Sequence, residues 1–119
     1  MILGTGIDII EIERIQKAVD RWGDGFLNHV FTPKEIENAQ KFKFPYRHYA
    51  GRFAVKEAIF KAMGMPELSW LDVTIINDTD GKPVCHINNI QIAEKFKHRL
   101  LISISHSRDY AVASAIVEK

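Results

Sequence analysis

The chain has 119 residues, 46% of them hydrophobic, with sixteen basic and fifteen acidic residues and a formal charge of +1. That length suits one domain, residues 1–119, with enough apolar content to bury a core, and the balanced charge argues against a nucleic-acid binder or a polybasic membrane-surface protein. The single cysteine, Cys85, excludes an internal disulfide and a CxxC site and fits a reducing compartment.

The opening MILGTGIDII is apolar, but it lacks a basic leader and carries Asp8 within the run, so it does not read as a secretory signal. No segment approaches the ~20 apolar residues of a membrane span, and a cytoplasmic protein is expected. Residues Ile2 to Ile12 are rich in β-branched residues and glycine. They predict a buried strand with close backbone approach near Gly4 and Gly6; GTG is too short for a nucleotide-cradling loop. From Glu11 the period changes to 3.6: Ile12, Ile15, Val19 and Trp22 line an apolar face, Gly23 ends the helix, and Arg14, Lys17 and Arg21 form a basic ridge on the other side.

Thr32, Pro33 and Glu35 make a capping box with proline at the first helical position, predicting a helix to about Lys43. Pro45 closes it. A second helical pattern runs from Tyr46 to Met63, stopped by Gly64 and Pro66. Leu71 to Asn77 is strand-like, and DTDGK followed by PVCHI predicts a hairpin with an Asp-Gly turn. NNIQIAEKFKHRL reads as a short helix, alone or with a loop. The end reads as a second hairpin: Leu101 to Ser105, a turn over Ser107 to Asp109, then Tyr110 to Val117. Helices combined with hairpins predict an α+β fold, antiparallel hairpins packed with helices.

FAVKEAIFKAMG, Phe53 to Gly64, places charges in a helix that should be buried. Phe53, Glu57, Phe60, Lys61 and Gly64 share one face. Glu57 and Lys61 fit a solvated i,i+4 ion pair, but the flanking apolar residues make a compensating divalent cation and phosphate the alternative. Asp8 poses the same question: a bulge or edge carboxylate, or half of a pair for Mg²⁺, which takes hard oxygen ligands. His106 within SISHS reads either as a turn or core histidine or as a ligand-binding one. Arg47, His48 and Arg52 either hold a phosphate or face water, and Lys56, one residue off the Glu57 direction, is solvated or at a phosphate rim. No GxSxG elbow precedes His106, and neighbouring strand residues point to opposite faces, so Ser-His-Ser is not a hydrolase triad.

Three stretches, GIDIIEIERI (Gly6 to Ile15), FAVKEAIFKAMG (Phe53 to Gly64) and SISHS (Ser103 to Ser107), resemble in order the signature segments of bacterial holo-(acyl-carrier-protein) synthases, members of the 4′-phosphopantetheinyl transferase superfamily. The resemblance spans essentially the whole chain. It implies transfer of the phosphopantetheine arm of coenzyme A to a serine of apo acyl-carrier protein, with release of adenosine 3′,5′-bisphosphate, in support of fatty acid biosynthesis. It further implies Mg²⁺ on Asp8 and Glu57, Lys61 on the pyrophosphate, and His106 on the 3′-phosphate, beside which Arg47 and Arg52 either contact coenzyme A or face water. Arg14, Lys17 and Arg21 become a docking ridge for the acidic carrier, and a homotrimer with sites between subunits is expected. Where the wider superfamily often has a third carboxylate, this chain has Ile10. The general base stays open between a water on the metal and a carboxylate, Glu57 being better placed. A silent binding module and an unrelated Mg²⁺-dependent phosphohydrolase are the rival readings.

Overall fold

A computed structural model describes all 119 residues. The chain runs β1 (Ile2–Glu11), α1 (Ile12–Trp22), α2 (Asp24–Val30), α3 (Pro33–Ala39), α4 (Tyr46–Met63), β2 (Val73–Asn77), β3 (Pro83–Ile87), α5 (Ile90–Lys95), β4 (Arg99–His106) and β5 (Tyr110–Glu118). A 3₁₀ turn at Trp70–Asp72 precedes β2. All strands pair antiparallel, in a three-stranded sheet of order β1-β5-β4 and a separate β2-β3 hairpin. The fold is α+β.

Helix α4 packs across β1 and β5, and small side chains set how closely. Ala50, Ala54, Ala58 and Ala62, one turn apart, are buried, as are Ala111, Ala113 and Ala115 of the central strand. On β1 a Cβ at Gly4 would collide with the carbonyl oxygen of Ala62, and one at Gly6 with that of Ala58. The two glycines are therefore the close approach expected from the sequence. Period 2 then carries Asp8 and Ile10 to the same side, where Ile10 enters the core. The opposite face of β1 is open: Ile7 and Ile9 are more than 60% exposed, so the strand is half-buried rather than buried.

Other expectations are met or corrected locally. The Thr32–Glu35 capping box forms in both directions, and Gly64 closes α4 in the left-handed region, φ 60°. Helix α3 ends at Ala39 rather than near Lys43, because Phe42 and Phe44 lie two residues apart, cannot share a helical face, and remain exposed. The apolar face of α1 ends at Val19: Trp22 is exposed, with the Arg21 guanidinium over its ring at 4.8 Å. Helix α2 is unanticipated, its seven residues being too few to display a period.

Candidate active site

Asp8 on β1 and Lys61 on α4, 53 residues apart in sequence, meet where the glycines bring strand and helix together. The Lys61 ammonium donates to the Ile7 carbonyl at 2.9 Å and to Asp8 Oδ1 at 3.3 Å. Glu57, expected beside Lys61 as an i,i+4 partner, takes part in none of the four ion pairs of the chain; Lys61 turns instead towards the strand, where a carbonyl and a carboxylate offer two acceptors together.

The Glu57 carboxyl is pushed above its ordinary range by partial burial first and by the charge of Asp8 second, against a smaller opposing effect of Lys61. Crowding of the two carboxylates is thus limited to mutual repulsion, which adds to the cost of burying Glu57. No group of three or more His, Cys, Asp or Glu side chains gathers anywhere in the chain, which argues against an all-protein metal cage. The pair nevertheless fits Mg²⁺, which commonly takes one or two carboxylates and completes its octahedron with phosphate oxygens and water. Ile10, at the third position, supplies no oxygen.

This crowding has a measurable consequence. A carboxyl whose folded-state pKa is raised contributes stability that is present below its unfolded value and lost as pH rises through the folded one. Without divalent metal, Glu57→Gln should therefore melt higher than the parent near neutral pH, and the difference should vanish as pH falls through the ordinary carboxylate range. Thermal unfolding across pH in a chelator checks this; a variant melting lower at neutral pH contradicts it.

A second cluster lies earlier on α4. His106, at the end of β4, packs over Gly51, where an added Cβ would sit 2.7 Å from Nε2. Its Nε2 is buried without a hydrogen-bond partner. Burial first, then the nearby Arg47, lower its pKa. His48 stacks on Phe42, with ring centroids 3.6 Å apart, and is lowered by burial, then by Arg52, His106 and Arg47. Arg52 donates to Asn77 Oδ1 at 3.2 Å. Arg47, His48, Arg52 and His106 thus lie within electrostatic reach of one another, with the His106 ring nitrogen held against Gly51 and lacking a partner. The ridge of Arg14, Lys17 and Arg21 is exposed as expected, with Lys17 in a surface pair with Glu13 at 3.2 Å that contributes little.

Lys56 corrects the sequence reading outright. It is neither solvated nor at a rim but fully buried, donating to the Val30 carbonyl at 2.8 Å, Glu35 Oε1 at 2.7 Å and the Trp70 carbonyl at 2.9 Å. Glu35, also buried, accepts from Thr32 N at 2.8 Å and Ile75 N at 2.7 Å. Lysine and glutamate are almost never fully buried unless paired, and nothing in the sequence marks these two, 21 residues apart, as partners.

A carboxylate pair beside a lysine, with two arginines and a histidine nearer the start of the same helix and His106 of β4 against it, offers charges suited to a ligand that bears phosphates. The chain belongs to the 4′-phosphopantetheinyl transferase superfamily, whose family model matches residues 4–115. Among its relatives, it is 49% identical to the holo-[acyl-carrier-protein] synthase of Protochlamydia amoebophila over 98% of each chain. Solved structures agree. The holo-(acyl-carrier-protein) synthase of Bacillus anthracis, in complex with CoA (3′,5′-ADP), superimposes with a TM-score of 0.84 at 39% identity, over 99% of this chain and 97% of that one. The Helicobacter pylori enzyme, in complex with coenzyme A, gives 0.85 at 36% identity, over 96% of this chain and 99% of that one.

Proposed function

We propose that residues 1–119 act as one domain, a holo-(acyl-carrier-protein) synthase that moves the 4′-phosphopantetheine arm of coenzyme A to a serine of apo acyl-carrier protein and releases adenosine 3′,5′-bisphosphate, in support of cytoplasmic fatty acid biosynthesis. The observation that carries this reading is the meeting of Lys61 with Asp8 where Glu57 also feels the Asp8 charge, two carboxylates and a cation of the kind a Mg²⁺-bound diphosphate needs. His106, Arg47 and Arg52, with His48 beside them, then take the 3′-phosphate, and Lys61 the diphosphate.

Asp8 and Glu57 would hold Mg²⁺, which when bound neutralises charge on the diphosphate. Lys61 adds a positive charge where the leaving phosphate gains negative charge. The serine oxygen forms a bond to the phosphorus that bears pantetheine as the diphosphate P–O bond breaks. The serine proton passes to Glu57, the carboxylate that Lys61 leaves unpaired. No helix is long and apolar enough to cross a membrane, and no nucleic-acid partner is invoked. The outer face of the three-stranded sheet exposes Leu3, Ile7, Ile9, Leu101 and Tyr110; an apolar face of this kind favours association of subunits, and in the homotrimer reading Ile7 would bring a neighbour near Asp8.

The decisive experiment incubates the protein with coenzyme A, Mg²⁺ and apo acyl-carrier protein and weighs the carrier. Gain of one phosphopantetheine mass supports transfer. An unchanged carrier with intact coenzyme A points to a silent binder, and consumption of coenzyme A without carrier to a hydrolase. Docking through α1 has its own test: Arg14→Glu should raise the KM for carrier about tenfold at low salt, an effect that fades as salt screens it, with the KM for coenzyme A within about twofold of the parent. Equal changes in both constants count against it.

A further inference from the structure

The close packing of α4 leaves a mechanical question. Its sheet-facing stripe is alanine, against glycines of β1 and alanines of β5, so its rotational setting rests on larger buried side chains such as Tyr49, Val55 and Ile59 and on the polar bonds of Lys56 and Lys61. Glu57 and Lys61 are useful only at one rotational setting, because each residue along a helix is displaced by ~100° from the last.

We propose that Lys56 is a positioning residue for the transfer reaction, setting the rotation of α4 so that Glu57 faces Asp8; the proposal rests on the site reading given above. The three ammonium hydrogens of Lys56 are used on three separate segments: the Val30 carbonyl at the end of α2, the Glu35 carboxylate on α3, and the Trp70 carbonyl in the 3₁₀ turn. Glu35 is itself fixed by the amides of Thr32 and Ile75. The ring of Trp70 stacks on Phe53 and meets Phe60 edge-on, both at 4.9 Å, and these two sit three residues before and four after Lys56. One buried ammonium thus fastens the helix to the aromatic wall flanking Glu57. As a source of stability alone a buried ion pair is poor, since apolar replacement is often neutral or better. Directional bonds, by contrast, tolerate little rotation.

The test is the paired variant Lys56→Met/Glu35→Gln, which removes both charges together and so leaves no lone buried ion. Thermal unfolding, the KM for coenzyme A, kcat, and Mn²⁺ affinity by electron paramagnetic resonance with coenzyme A present are read in parallel. The expected result is a folded protein with its KM for coenzyme A within about threefold of the parent, while kcat and Mn²⁺ affinity each fall about 10- to 100-fold. Values of kcat and Mn²⁺ affinity close to those of the parent overturn the proposal, and so do losses that track the unfolded fraction and disappear on cooling. Should the paired variant not fold, Glu35→Gln alone decides on the same readouts, since Lys56 then keeps both carbonyls: a smaller loss with the same split supports the proposal, and parent-like behaviour overturns it. Glu57→Gln separates the two layers. If it leaves Mn²⁺ affinity and kcat untouched, the site reading fails; if it abolishes both while the paired variant behaves as parent, only the positioning role fails.

Discussion

Glu57→Gln should lower the rate of phosphopantetheine transfer by on the order of 10³ while giving a metal-free protein at least as stable as the parent at neutral pH. The two effects have one origin. In the free protein Glu57 faces the negative charge of Asp8 from a partly buried position, with Lys61 committed to Asp8 and the Ile7 carbonyl. Neutralising it relieves that repulsion. On the proposed reading the same substitution removes one of only two hard anionic donors at the site and the group that receives the serine proton. Asp8→Asn should lose activity comparably, but it also takes the charged partner from Lys61 and gains less stability. Single-turnover transfer to carrier, beside melting curves in chelator, checks both halves. A Glu57→Gln enzyme within tenfold of parental activity would refute the carboxylate-pair assignment.

Gly6→Ala should destabilise the protein by about 3 kcal/mol or more, a fall in Tm of roughly 10 °C or more, and should also impair the site. The added methyl is aimed at the Ala58 carbonyl, a backbone atom within α4 that cannot yield without bending the helix. Strand β1 must lift away, and Asp8, two residues on and pointing the same way, moves from Lys61 with it. Gly25→Ala is the control: a Cβ there meets nothing within 4 Å, it lies inside α2, and the change should stabilise by about 0.5–1 kcal/mol. Calorimetry on the two variants gives the comparison. Equal melting temperatures would mean that the strand does not depend on glycine to approach the helix.

Much of this architecture is legible in the sequence because it is written over short distances. Thr32 and Glu35, three residues apart, cap α3 as their types require; Gly64 stops α4; Asp78 to Lys82 turn the β2-β3 hairpin with Gly81 at φ 83°. Charge or polarity in apolar surroundings, with resemblance, marks Asp8, Glu57, Lys61 and His106 as candidates, but not their partners. Helical spacing pairs Glu57 with Lys61, whereas Lys61 reaches 53 residues back to Asp8, because the partner of a long side chain depends on which acceptors packing brings near it. The burial of Lys56 is hidden for the same reason: only the convergence of α2, α3 and the 3₁₀ turn supplies the oxygens that allow it.

Propensity, capping and periodicity act between residues a few positions apart, so they locate both hairpins and every helix but α2, and they show carboxylates, lysine and histidine in apolar settings. The place of β5 between β1 and β4, the seating of β1 on the backbone of α4 through glycines, and the partner of each charge come from packing alone. Those outcomes depend on contacts between residues far apart in the chain, such as Gly6 with Ala115, whose pairing becomes defined when the core closes.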